Sequence, residues 1–173
     1  MTTQTASTPL QEAFREAMAA VCTPVAVVTA VREAIPHGTT VSAFTSLSMS
    51  PPMVLVSLDR RSHLLQIIRE TGHFGLNVLG SDQDQLAENF ARKGADKFTG
   101  VGWSVVDGVP AIPGVGGFLA ASVDTIIDGG DHAVVLGRVV SATANPTTPL
   151  TYHSRTFGTH TVLASRQRTT ETG

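Results

Sequence analysis

Cysteine is almost missing from this 173-residue chain. Cys22 stands alone, so no disulfide can form within the chain and no cysteine-based zinc site is available. Charge is scarce too. Charged residues make up 15% and the net charge is −2, which gives no whole-molecule pull toward nucleic acid or a membrane surface. No apolar run approaches the roughly 20 residues of a membrane span. Residues 1–14 show no basic start followed by an apolar stretch, so no secretory signal is expected and the cytoplasm is the expected location. Several catalytic motifs are also lacking: G-x-G-x-x-G, the Walker loop, H-E-x-x-H and the G-x-S-x-G elbow. Gly114-Val115-Gly116-Gly117 lacks the spacing of a dinucleotide fingerprint. The six histidines are scattered, with no i,i+4 pair suited to a metal. Serine or cysteine hydrolysis has no support, and no metal site is expected.

What remains is an ordinary globular composition, 42% hydrophobic, long enough for one domain with a proper core. Polar segments at 1–8 and 165–173 read as loose tails around a domain at 9–164. Thr8-Pro9-Leu10-Gln11 has the form of a capping box with proline at the first helical position. Leu10, Phe14, Met18 and Val21 follow at helical spacing, which predicts a helix from Pro9 to Val21. The β-branched run 24–31 predicts a strand, then a turn at Pro36-His37-Gly38, then a strand "TVSAFTSL" (40–47). Pro51-Pro52 sets off another strand at 53–59. Ser62 can cap a helix that stops at Gly72. A strand at 74–80 and a helix at 81–93 follow. Residues 116–144 read as two long strands joined at Asp128-Gly129-Gly130-Asp131. Many short strands with three helices and no regular βαβ alternation favour an antiparallel barrel or sandwich.

Five stretches could carry chemistry. "GTTVSAFTSLSMSPP" (38–52) is dense in hydroxyls and holds no acid or base. Hydroxyls and backbone N–H groups there could bind a phosphate and a polyol chain, or the hydroxyls are outward strand positions. "LDRRSHLLQ" (58–66) puts Arg60, Arg61 and Ser62 at a helix start, a ready anion site or a plain cap. "NFARKGADKF" (89–98) groups Arg92, Lys93 and Lys97, where the helix dipole accounts for the first two. "GGDHAVVLGRV" (129–139) needs its glycines for a turn but not His132. "PLTYHSRTFG" (149–158) packs Tyr152, His153, Arg155 and Phe157 together, able to stack on a ring and pair with a phosphate, or to serve as an amphipathic edge.

In combination and in this order, "GTTVSAFTSLSMSPPMVLVSL", "FARKGADKF", "DGGDHAVVLGRV" and "PLTYHSRTFG" resemble the flavin reductase family. Its members include the reductase components of two-component flavin-dependent monooxygenases, among them those of actinomycete aromatic polyketide pathways. The resemblance spans about residues 10–160. It implies a mainly β fold, an FMN-binding split β-barrel of Greek-key type with a few short helices, usually a homodimer with the flavin near the interface.

For the site, the resemblance implies that Thr40, Val41, Ser42 and Ala43, with Ser48, hold the flavin ring and ribityl chain. The segment with Ser57, Leu58, Asp59, Ser62 and His63 holds the ribityl and phosphate, and Ala91, Arg92, Lys93 and Lys97 complete the phosphate site. His132, with His153, Ser154, Arg155 and Phe157, faces the nicotinamide nucleotide. Two positions depart from the family pattern. Ala43 stands where many relatives carry Ser, and His63-Leu64 where relatives often carry Ser or Thr. The implied reaction is reduction of FMN or FAD by NADH or NADPH, through hydride transfer, to supply a partner monooxygenase. Two rival expectations are a non-catalytic flavin-binding barrel and an oxidase with tightly held flavin.

Overall fold

The computed structural model describes residues 6–94 and 96–163, so most of the two expected tails lies outside the described residues. Helix α1 (Pro9–Ala19) starts where the sequence places it. The Thr8 hydroxyl accepts from the Gln11 N–H at 3.2 Å, and the Thr8 N–H donates to the Gln11 side chain at 2.8 Å. Both halves of the capping box are thus made. Strand β1 (Thr23–Pro24) is brief, and β2 (Ala26–Arg32) forms a hairpin with β3 (Ile35–Val41). The turn of that hairpin is Glu33-Ala34, at φ 52° and 61°. The sequence points instead to Pro36-His37-Gly38, which are ordinary turn formers. Glu33-Ala34 offers no Asn or Gly to announce a left-handed pair. Pro36 is tolerated because β3 is an edge strand.

Strands β4 (Phe44–Met49) and β5 (Pro52–Asp59) come next, followed by α2 (His63–Thr71), β6 (His73–Val78) and α3 (Asp84–Ala91). Three hairpins follow: β7 (Ser104–Val106) with β8 (Val109–Ala111), β9 (Gly117–Gly129) with β10 (His132–Ala144), and β11 (Leu150–His153) with β12 (Thr156–Thr159). α3 is shorter than the expected 81–93, because Gln83 is the cap and Arg92 is already extended at φ −63°, ψ 156°. The strands of β7–β8 are too short for alternation to register, although Asp107-Gly108, at φ 47° and 80°, is a usual hairpin dipeptide.

The main sheet has seven antiparallel strands in the order β3-β2-β6-β9-β10-β5-β4. Its two edges, β3 and β4, are successive strands of the chain, and six antiparallel pairings between them make the two run the same way. The chain therefore leaves one edge and enters the other with only Ser42-Ala43 between, which requires the sheet to curl into a barrel. The expected strand 40–47 is this single passage, interrupted at a bend. The Ser57 N–H donates to the Ala43 carbonyl at 2.9 Å, so β5 reaches across to the bend. Between β3 and β5 the barrel is parted.

β2 explains why its sequence is a continuous apolar run: both of its faces are buried. Ala26, Val28 and Ala30 join one core cluster with Phe74, Val56 and the α2 residues Leu65 and Ile68. Val25 and Val27 join another with Phe90, Leu79, Phe118 and Leu150. Among the described residues the buried polar ones are Thr29 and Asn77, which bind each other and the β8 segment. Thr29 Oγ1 donates to the Pro110 carbonyl at 2.6 Å, Asn77 Nδ2 donates to Thr29 Oγ1 at 3.2 Å, and the Ile112 N–H donates to Asn77 Oδ1 at 2.8 Å. Among the described residues, no helix is long and apolar enough to cross a membrane.

Candidate active site

Three recesses run together along the parting of the barrel. The smallest, about 230 Å³, lies between Thr39–Ala43 and Ser57–Asp59, with Ser62 at its edge. One of about 730 Å³ continues from Thr39, Asp59 and Ser62 toward α2 and the segment after α3. Another, about 660 Å³, continues from Thr40–Ser42 to the β11–β12 hairpin. The hydroxyl-rich bend is the common wall, and Ala91 touches both large recesses. The alternation of β5 determines what its residues offer. Val54, Val56 and Leu58 point into the core, leaving Ser57 and Asp59 on the outer face. Leu58 therefore contributes backbone to the groove, and so, in the main, does the buried Val41.

The 730 Å³ recess is cationic. Arg61, Arg92, Lys93 and Lys97 line it, against one carboxylate, Asp59. Asp59 is already paired: Oδ1 accepts from the Arg61 N–H at 2.8 Å and Oδ2 from Arg61 Nη2 at 3.1 Å. These bonds hold the Asp59 carboxyl down at about 2. Lys97 reaches in from the loop, its Nζ donating to the Phe90 carbonyl at 2.9 Å and the Gly38 carbonyl at 3.3 Å. Burial lowers the Lys97 pKa, and the neighbouring Arg92 adds to this. An anion beside Lys97 would offset both costs. Gly38 makes the arrangement possible, since a Cβ there would lie 2.7 Å from the Phe90 ring. Ser62 caps α2 without using its side chain, so its hydroxyl is available beside the first turn of the helix.

The 660 Å³ recess brings the tip of β11–β12 against the bend. Ser154-Arg155 form its turn at φ 49° and 63°. Tyr152 and Phe157 pair across it with centroids 5.2 Å apart, and both line the recess with Arg155 and Thr156. The tip is tied to α1, because the Ser154 N–H donates to the Ala19 carbonyl at 2.8 Å and Arg155 pairs with Glu16. Thr40 keeps its hydroxyl hydrogen for α3, donating to the Ala87 carbonyl at 2.6 Å, so it can only accept from a ligand.

Other residues singled out in the sequence lie apart from these walls. Ser48 sits at a β4–β5 irregularity and accepts from the Ser50 N–H at 3.2 Å. His153 stands outside the recess lining, with Nε2 3.4 Å from Ser154 Oγ. His132 pairs in register with Asp59 on the outer face of the sheet, one strand from the groove. Its Nδ1 lies 2.8 Å from Asp131 Oδ1, and that contact lowers the Asp131 pKa. The structure adds His37, Thr39 and Glu88 to the walls. The alternation of β3 could have found Thr39, but assigning 36–38 to a turn hid His37. No local signal marks Glu88, which is one acidic residue on an acidic helix.

Comparison with known proteins agrees with this architecture. The family profile described as "Flavin reductase like domain" matches residues 18–161. The reductase component of a 4-nitrophenol 4-monooxygenase/4-nitrocatechol 2-monooxygenase from Rhodococcus opacus is 38% identical over 151 residues, 87% of this chain and 82% of the relative. An FMN reductase (NADH) from Agrobacterium fabrum is 38% identical over 146 residues, 84% and 83% of the two chains. The solved structure of a Streptomyces globisporus NADH:FAD oxidoreductase with NAD and FAD fragments superposes with a TM-score of 0.85, at 29% identity, covering 92% of this chain and 99% of the other. By sequence and by fold, this chain belongs to the flavin reductase like domain family.

Proposed function

We propose that the chain is an NADH:flavin oxidoreductase that reduces a bound flavin and releases it to a partner monooxygenase. The observation that carries the reading is the continuous groove, with a cationic recess at one end, an aromatic and arginine recess at the other, and a small-residue bend between. A flavin nucleotide joins a phosphate to a planar ring, and a nicotinamide nucleotide must stack on that ring. The groove offers a place for each in that order. Both curated relatives above and the solved structure support a flavin reductase, and the NADH named for two of them favours NADH over NADPH.

The flavin supplies the redox chemistry, accepting a hydride from the nicotinamide. The protein's task is positioning and electrostatics. Lys97, Arg92 and Lys93 hold the phosphate. Ser42 and Ala43 give the ring edge a close backbone approach, and N–H groups there stabilise the charge of the reduced form. Arg155, Tyr152 and Phe157 hold one part of the second nucleotide, and His132, beside Asp59 on the far side of the bend, would meet another part of it. No proton-transfer dyad is required. The supply of NADH puts the reaction in the cytoplasm.

A homodimer completes the proposal. α1 buries none of its residues, and Leu10, Phe14, Met18 and Val21 are all exposed. A second copy would cover that stripe beside the Arg155 hairpin.

The test is NADH oxidation with added FMN or FAD, run beside Ser42→Leu. Ser42 is exposed in the groove, so leucine there keeps the fold and fills the ring's space. Wild type should turn over and gain about 2.7 kcal/mol of stability at a hundredfold excess of flavin over Kd. Ser42→Leu should show neither effect while melting like the ligand-free wild type. Flavin-independent NADH oxidation, or no oxidation with either flavin, would overturn the reading. A yellow protein after extensive dialysis would favour the tightly held flavin of an oxidase.

A further inference from the structure

The cationic recess is larger than one phosphate needs: about 730 Å³ is the size of a whole small-ligand site. Its cations Arg92, Lys93 and Lys97 come from the segment after α3. From β3 and α2 come two imidazoles. His37 and His63 both line the recess, meeting edge-on with centroids 5.2 Å apart and planes at 73°. Arg32 stands behind them, its Nη2 3.3 Å from His63 Nε2 and its Nη1 donating to Glu70 at 2.9 Å. The pair is not core packing, since His37 is half-buried and His63 exposed. Two imidazoles pressed together against a guanidinium repel one another when charged. Such a cluster gains from an anion, and Asp59, the carboxylate in the lining, is already bound to Arg61.

We propose that the His37–His63 pair, backed by Arg32, is a second anion subsite that takes the distal phosphate of a flavin dinucleotide and makes the chain prefer FAD to FMN. The proposal rests on the flavin reductase reading. Lys97 and Arg92 take the phosphate shared by FMN and FAD, while the imidazoles take the one found only in FAD. A protonated imidazole adds a charge and a second N–H donor. Burial lowers the His37 pKa, with His63 and Arg32 adding to that effect. A phosphate beside the pair opposes these influences, so FAD binding takes up protons and tightens as pH falls. The other charged groups around the pair are Arg32 from β2, Glu70 from α2, Asp59 and Arg61 from the β5–α2 turn, and Arg92, Lys93 and Lys97. Between about pH 5 and 8 an imidazole is the side chain whose charge ordinarily changes, and His37 is the one whose charged form burial disfavours.

The experiment measures dissociation constants for riboflavin, FMN and FAD at pH 6 and pH 8. It uses wild type, the double variant His37→Asn/His63→Asn, and His63→Lys. Wild type should bind FAD more tightly than FMN, with the preference wider at pH 6. The double variant should lose about tenfold in FAD affinity, the scale of one charge-assisted bond, with FMN much less affected and the pH dependence gone. His63→Lys should keep the FAD preference with a flatter pH profile. Equal losses for FMN and FAD would place the pair on the shared phosphate and overturn the subsite alone. No loss for either, or a pH-independent FAD preference in wild type, would also overturn it. Wild type that binds none of the three flavins would overturn both the subsite and the reading beneath it.

Discussion

Lys97 illustrates how a residue's role depends on where it lands. In sequence it is one base in a basic loop. In the structure it is half-buried and committed to two carbonyls, with its charge disfavoured by burial and by Arg92. A ligand phosphate relieves that cost, so Lys97→Ala should weaken FMN binding about tenfold, the scale of a charge-assisted bond. Riboflavin, which has no phosphate, should bind the variant nearly as well as wild type, and titration calorimetry with the two ligands separates the cases. Asp59 carries a prediction of its own. Its carboxyl is held at about 2 by the Arg61 side chain and then by the Arg61 N–H, below the ordinary value near 4. A depressed carboxylate contributes stability that is fully present above the ordinary value and is lost as pH falls through about 2. A carbon-detected NMR titration should therefore find the Asp59 midpoint near 2 in wild type and higher in Arg61→Ala, though still below the ordinary value, because the N–H of residue 61 keeps its bond to Asp59 Oδ1. Arg92, Lys93 and Lys97 were legible as a group because like charges concentrate locally. His37 was not, because its meaning depends on α2 lying across β3.

At the scale of elements, local pattern specified most of the fold and missed its junctions. Capping residues located α1, and glycine stopped α2 with Gly72 at φ 73°. The period-2 alternation of β5 was visible, as was the long β9–β10 hairpin. The β2–β3 turn was misplaced because Glu33-Ala34 takes left-handed backbone without the usual residues. The bend at Ser42-Ala43 was invisible because the chain runs on in the same direction, and only the sheet order shows that it changes edges. The Thr29–Asn77 contact is another junction, tying β2 and β6 to the β8 segment. Asn77→Leu would leave the Ile112 N–H without its acceptor. The expected cost is about 1–3 kcal/mol, the penalty for an unmet buried hydrogen bond. Urea unfolding should show it as a lower midpoint with an unchanged slope.

For the whole molecule, the question is what holds α1 in place. An isolated helix of 11 residues is not stable in water, and this one buries none of its side chains in its own chain. Its described ties are the Ala19 carbonyl to the Ser154 N–H and the Glu16–Arg155 pair, and exposed ion pairs contribute little, about 0–1 kcal/mol. Leu10, Phe14 and Met18 repeat at i, i+4, i+8, and Leu10 and Phe14 are 79% and 65% exposed. A second copy laid on this stripe would supply the missing burial and also brace the hairpin that carries Arg155. The double substitution Phe14→Asp/Met18→Asp should therefore convert a dimer into a monomer by sedimentation velocity, while leaving the barrel folded. Because α1 and the 154–155 turn are bonded to each other, the monomer should show a higher KM for NADH. The cationic recess lies at the other end of the groove, so the flavin dissociation constant should change less. A variant that remains dimeric would put the interface elsewhere. A wild type that sediments as a monomer would leave α1 to be covered by a different partner.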